Sequence, residues 1–239
     1  MEFDGKLSYV EKTNPKGIHI HAIDEKLASF DSPFQKIDIY LTKSFGKMLI
    51  LDGDPQSSEF DEDLYHEALV NPALSAHPSP KRVLILGGGE GVTLRDTLRN
   101  GSVEQAIMVD IDGDVVRLCQ KFFPEYWIPD NRGKVVIGDA LKFLQETKDR
   151  FDVILSDLTE LNPEAEDAGF LTPDFFKLIK SRLKPDGVLG MQASDAARGK
   201  DRLHHKYIET AKSLWKNVRP YRVFIPCFYT EWGFLTADD

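Results

Sequence analysis

The stretch that decides the fold is Val83-Leu84-Ile85-Leu86-Gly87-Gly88-Gly89-Glu90-Gly91. Four apolar residues followed at once by glycines predict a strand buried on both faces that turns sharply into a helix. The pattern repeats downstream. Residues 92–100 read as a helix. Ala106-Ile107-Met108-Val109 reads as a second buried strand ending at Asp110. Val135-Val136-Ile137 is a third, before Gly138-Asp139, and Val153-Ile154-Leu155-Ser156 a fourth, before Asp157. A fifth, Val188-Leu189-Gly190-Met191, follows the turn Lys184-Pro185-Asp186-Gly187, and two more fall at about 221–225 and 232–236. Continuous apolar strands alternating with helices predict a parallel sheet covered on both faces.

Upstream of about residue 75 the pattern differs. Lys36-Ile37-Asp38-Ile39-Tyr40-Leu41 and Lys47-Met48-Leu49-Ile50-Leu51 alternate, with Asp52-Gly53 as a turn, and read as antiparallel strands with one wet face. Residues 61–74 place Leu64, Ala68, Leu69 and Ala73 at helical spacing. The chain is therefore read as α/β: a small N-terminal antiparallel β subdomain with a linking helix over 1–74, then a Rossmann-like sheet domain over 75–239.

The 239 residues are 41% hydrophobic, enough for a real core, and carry a formal charge of -9. That balance argues against nucleic acid, which needs clustered cations, and suits a small cationic ligand. Cys119 and Cys227 form no CxxC or Cys/His pattern, so neither a disulfide framework nor a metal site is expected, and both read as small core residues. The opening MEFDGKLSYVEK is charged, and no apolar run is long enough to span a bilayer, so the expectation is a cytoplasmic protein without leader or anchor.

In open α/β sheets ligands bind beyond the carboxyl ends of the strands. Here those ends hold Gly87, Gly89 and Glu90, then Asp110, Asp139-Ala140 and Asp157. The glycines permit a tight turn and close approach to a ligand. Glu90 would repel a phosphate and favour a cation; the competing reading is a solvated acid near a helix N-terminus. Asp110, about 20 residues past the glycines, stands where an acid accepts from ribose hydroxyls. Asp139 can accept from an exocyclic amine or cap the helix that follows. Asp157 and Glu160, three residues apart, are candidates for a general base or an ammonium anchor.

Other patterns fail. Asp110-Ile111-Asp112-Gly113-Asp114 is no calcium loop, because Val115 and Lys121 occupy the positions that need glycine and a bidentate acid. His66-Glu67 is no zinc-protease motif, because Val70 stands where the second histidine belongs. His204 and His205 are adjacent on a helix and diverge, and His19 and His21 read as surface residues of an edge strand. Trp127, Trp215 and Trp232 read as packing residues, with Trp232 also suited to line a cleft.

Taken together, Ser32-Pro33-Phe34-Gln35, LDGDPQSSEFDEDLYHEALVNPAL, GGGEGVTLR, MVDIDGDVV, Gly138-Asp139-Ala140 and FDVILSDLTE resemble the polyamine aminopropyltransferases, the spermidine, spermine and thermospermine synthases and their agmatine-using relatives. The resemblance runs from about Ser32 to the last strand. It implies a class I methyltransferase-type sheet, a homodimer or homotetramer, and transfer of an aminopropyl group from decarboxylated S-adenosylmethionine to an amine. The donor would be a co-substrate, with no metal and no further cofactor. It also implies roles: Glu90 for the donor's ammonium, Asp110 for the ribose, Asp139 and Ala140 around the adenine, and Gln35, Gln56 and His66 in the donor pocket. Tyr65 and Asp157 would position and deprotonate the attacking nitrogen, and Glu160 would meet the acceptor's other amine.

The chain departs from the family pattern mainly on the acceptor side. Glu160-Leu161 stands where Asp-Pro is usual, Phe228 where tyrosine is frequent, and Ser57-Ser58-Glu59 replaces a threonine-containing run. Two other readings fit the same fold: an S-adenosylmethionine-dependent methyltransferase, and a non-catalytic protein that binds nucleoside or polyamine.

Overall fold

The computed structural model describes residues 2–3, 6–11, 19–159 and 170–239. The chain packs as two compact units, one formed by residues up to Leu64 with Ile225–Tyr229, the other by Tyr65–Phe224 with Thr230–Asp239.

In the smaller unit, strands β1 (Glu2–Phe3), β2 (Lys6–Val10), β3 (Ile20–Asp31), β4 (Lys36–Thr42), β5 (Gly46–Leu51) and β6 (Asp54–Ser58) pair in chain order as one antiparallel sheet. Ile37, Ile39, Leu49 and Ile50 are fully or almost fully buried, but so are Asp38, Tyr40, Met48 and Leu51, so β4 and β5 are covered on both faces and the expected wet face is absent. Each such aliphatic side chain contributes about 1.5–3 kcal/mol on burial. His21 corrects the surface expectation: it is buried, stacks on Tyr9 with ring centroids 5.5 Å apart, and places Nε2 3.5 Å from Glu11. His19 meets the same carboxylate at 3.0 Å. The Glu11 carboxyl is pushed up by burial, but the bonds from His21 and His19 outweigh that and hold it below its ordinary range.

The larger unit carries α1 (Glu62–Ala76, from Tyr65), β7 (Arg82–Gly87), α2 (Val92–Arg99), β8 (Gln105–Asp110), α3 (Gly113–Phe122), β9 (Gly133–Ile137), α4 (Ala140–Glu146) and β10 (Phe151–Asp157). Then come α5 (Pro173–Arg182), β11 (Leu183–Asp195), α6 (Arg202–Lys212), β12 (Asn217–Ile225) and β13 (Thr230–Asp238). Its sheet has the order β12-β13-β11-β10-β7-β8-β9. Ladders from β11 through β9 are parallel, and β13 runs antiparallel to β11. The apolar run of β7 is explained by what lies above and below it. Val83 and Ile85 pack with residues of α1, α2 and α3, while Leu84 and Leu86 pack with residues of α4, α5 and α6. Both buried cysteines are free thiols. No described helix is long and apolar enough to cross a membrane.

Two expectations need correction. The third strand, β9, lies at the sheet edge, so Val135 and Val136 are only partly covered and Ile137 is exposed. The turn at 184–187 does not precede the fifth strand but sits inside it. Phe151 pairs Leu183 and Val153 pairs Val188, so the turn residues bulge from a ladder already begun. Asp152 anchors this region: Oδ1 accepts from Lys184 Nζ at 2.7 Å, and Oδ2 accepts from the backbone N–H groups of Arg82 at 2.8 Å and Lys81 at 3.1 Å.

Candidate functional site

The strand ends of the larger unit deliver their acids to one glycine loop. Gly87, Gly88 and Gly91 all have positive φ, which lets the chain leave β7 and enter α2 within four residues. The turn is tight against its neighbours. A Cβ on Gly87 would stand 2.3 Å from the Asp157 carbonyl oxygen, and one on Gly89 2.7 Å from Asp110 Oδ2. On Gly91 it would meet the Trp127 ring at 2.5 Å.

Asp110 closes β8. Its Oδ2 accepts from Gly89 N–H at 2.8 Å and its Oδ1 from Asp112 N–H at 2.9 Å. Burial pushes the Asp110 carboxyl above its ordinary range, the two backbone donors pull it down, and the charges of Asp112 and Asp157 add to the rise. Gly138 N–H donates to the Asp110 carbonyl at 2.8 Å, which brings the loop after β9 beside it. Asp139 caps α4, accepting from Leu141 N–H at 2.7 Å and Lys142 N–H at 3.2 Å, and Ala140 is the first residue of that helix. Exposed Ile111 and Ile137 flank the two acids, apolar surface next to hydrogen-bond acceptors.

Glu90 is only 8% exposed, so the reading of a solvated acid at a helix terminus does not stand. Its Oε1 lies 2.5 Å from Nε2 of His66, itself buried on α1. The next residue back on that helix, Tyr65, donates its hydroxyl to Asp157 Oδ1 at 2.8 Å. Asp157 Oδ2 accepts from Thr93 Oγ1 at 2.5 Å. Behind Tyr65 stand Phe234, at a ring-centroid distance of 5.2 Å, and Tyr221, whose hydroxyl donates to the Ala68 carbonyl.

The structure thus gathers Tyr65, His66, Gly87, Gly89, Glu90, Asp110, Asp139, Ala140 and Asp157 on the strand-end side of the larger unit. Gln35 and Gln56 belong to the smaller unit. Gln35 ends the turn before β4, where its carbonyl accepts from Ser32 Oγ, and Gln56 lies in β6, its amide donating to the Asp54 carbonyl at 3.3 Å. Glu160 and Leu161 lie outside the described residues. Sequence reading missed Thr93 and Gln192. Gln192 Nε2 donates to the Leu158 carbonyl at 2.6 Å, and its Oε1 accepts from Ser194 N–H and Trp232 Nε1. The available signal was an amide directly after the apolar run 188–191, a group that must find partners when buried.

The chain is similar to known proteins over most of its length. Residues 62–238 match the spermine/spermidine synthase domain, and residues 8–59 match the spermidine synthase tetramerisation domain. A polyamine aminopropyltransferase of a Synechococcus species is 45% identical over 91% of this chain and 72% of its own. Polyamine aminopropyltransferase 1 of Hyperthermus butylicus is 40% identical over 98% and 82%. A spermidine synthase crystallised with the transition-state analogue AdoDATO superposes with a TM-score of 0.90 at 30% identity, over 97% of this chain and 80% of that one. The spermidine synthase of Thermotoga maritima gives 0.89 at 30% identity, over 97% and 79%.

Proposed function

The chain belongs to the spermine/spermidine synthase family and is an aminopropyltransferase; from that premise we propose that it moves the aminopropyl group of decarboxylated S-adenosylmethionine onto a primary amine, releasing methylthioadenosine. The observation that carries this reading is the set of three carboxylates, Glu90, Asp110 and Asp157, around one glycine loop. Such a site repels phosphate and the carboxylate of ordinary S-adenosylmethionine, and it attracts ammonium and sulfonium groups. Asp110 takes the ribose hydroxyls with the oxygen lone pairs its backbone donors leave open. Asp139 and Ala140, with the exposed isoleucines alongside, frame the adenine. Glu90, oriented by His66, takes the donor's ammonium.

In the reaction the amine nitrogen attacks the propyl carbon attached to sulfur. A C–N bond forms, the C–S bond breaks, and sulfur keeps the bonding pair, leaving neutral methylthioadenosine. The leaving group needs no acid. The enzyme supplies alignment, which can lower such a barrier by about 7–11 kcal/mol, and a neutral amine. An alkylamine near pKa 10 arrives protonated. Asp157, held by Tyr65, takes that proton. Glu160 binds the acceptor's far amine, and the tetramerisation domain assembles a homotetramer.

The test is a screen of diamines, agmatine and longer polyamines with the decarboxylated donor, reading methylthioadenosine release and product mass. Product one aminopropyl unit heavier than an acceptor supports the reading. Methylated product from S-adenosylmethionine, with none from the decarboxylated donor, overturns it.

A further inference from the structure

We propose that Thr93 is a positioning residue for Asp157, fixing the carboxylate so that its open lone pairs face the attacking amine; this rests on the reading of Asp157 as the base. Thr93 lies in the first turn of α2 and is wholly buried. A helical threonine buried from water usually turns its hydroxyl back to the carbonyl one turn earlier. Here Oγ1 instead donates across the sheet to Asp157 Oδ2, 64 residues away in sequence, at 2.5 Å.

The geometry gives that bond a consequence. Tyr65 on α1 holds Oδ1 and Thr93 on α2 holds Oδ2, so two donors from two separate helices grip the two oxygens of one carboxylate. With a single donor the group could swing about its terminal torsion, which is soft and roughly two-fold. With both in place its plane is set. Each carboxylate oxygen accepts up to two hydrogen bonds, so one site on each remains for the substrate. The glycine loop blocks another side, since a Cβ on Gly88 would lie 3.2 Å from Oδ2. The remaining acceptor directions are therefore few and fixed.

The role predicts a split between turnover and binding. Thr93→Val keeps volume and branching and removes only the hydroxyl. It should lower kcat about ten- to hundredfold, the scale of a misaligned reacting group, with donor KM within about twofold of wild type. Thr93→Ser restores the donor and should recover most of the rate. The decisive comparison adds Thr93→Val to Asp157→Asn. If Thr93 acts through Asp157, the double variant is no slower than Asp157→Asn alone. Wild-type kcat in Thr93→Val, beside a collapsed Asp157→Asn, overturns the inference and leaves the base assignment intact. Wild-type kcat in Asp157→Asn removes the base assignment itself. If Thr93→Val fails to fold, Thr93→Ser and the additivity of Thr93→Ala with Asp157→Asn carry the same test. Fully additive losses overturn the inference.

Discussion

His66 Nε2 stands 2.5 Å from Glu90 Oε1, so the acid in the glycine loop is clamped from α1 instead of pointing into water. A clamped carboxylate is preorganised for a cation, and its orientation depends on a side chain about one tenth of the chain away.

Glu90→Gln should therefore weaken binding of the decarboxylated donor about ten- to hundredfold, the value of a charge-assisted hydrogen bond. The advantage over S-adenosylmethionine should narrow as well. Titration calorimetry with both donors measures this. An unchanged preference would remove Glu90 from the donor site.

Asp157→Asn should reduce turnover by about 10²–10⁴ while donor affinity stays close to wild type, because the amide cannot take the amine's proton. Raising the pH should return part of the rate by supplying neutral amine from solution. Steady-state kinetics across pH with a saturating amine reads both effects, and near-normal turnover at neutral pH would refute the assignment.

Gly91→Ala should destabilise the larger unit. The left-handed backbone there disfavours any side chain by about 1–2 kcal/mol, and the new methyl would strike the Trp127 ring at 2.5 Å. Urea unfolding should show a lower midpoint, and Trp127 emission should shift as the ring is displaced. Because Glu90 is the adjacent residue, donor affinity should fall too. An unaltered midpoint would mean that the ring yields without strain.

Asp152→Asn tests the base of the sheet, at the opposite end of β10 from Asp157 and silent in the mechanism. Burial pushes the Asp152 carboxyl up, but the bonds from Lys184 and from the Arg82 and Lys81 backbone outweigh it and hold the carboxyl below its usual range. The ionised group thus stabilises the fold. The variant should lose about 1.5–3 kcal/mol at neutral pH. That difference is complete above the unfolded carboxyl value of about 4. It closes as pH falls through the lower folded value. Denaturant unfolding at several pH values reads it; a gap that does not change between neutral and strongly acidic pH would contradict the account.

Strands β7, β8 and β10 were legible because helices cover both their faces, so the apolar pattern has no gaps. β3 was not, since Ile20–Asp31 keeps most of its side chains wet and its apolar residues do not alternate regularly. The bulge at 184–187 escaped because a turn signature describes local backbone and cannot tell whether a ladder has already begun. In the site, strand-end acids announced themselves by position. Which donor meets which acid could not be read. Tyr65 and Asp157 are 92 residues apart, and only tertiary packing joins them. His21 misled because a histidine in an alternating strand is polar by composition, while the Tyr9 ring and the Glu11 carboxylate make its burial favourable.

Tyr65 and His66 are neighbours on one helix, so their side chains leave the axis about 100° apart. One reaches the acid at the end of β10, and the other the acid in the loop after β7. The interval separating those two acids is thus gauged by helical pitch, a stiff quantity, and not by the shape of a loop. Any roll of α1 about its axis would loosen one grip while tightening the other. Neither half of the site can be retuned alone by moving this helix, and changes in substrate size must be accommodated by elements other than α1.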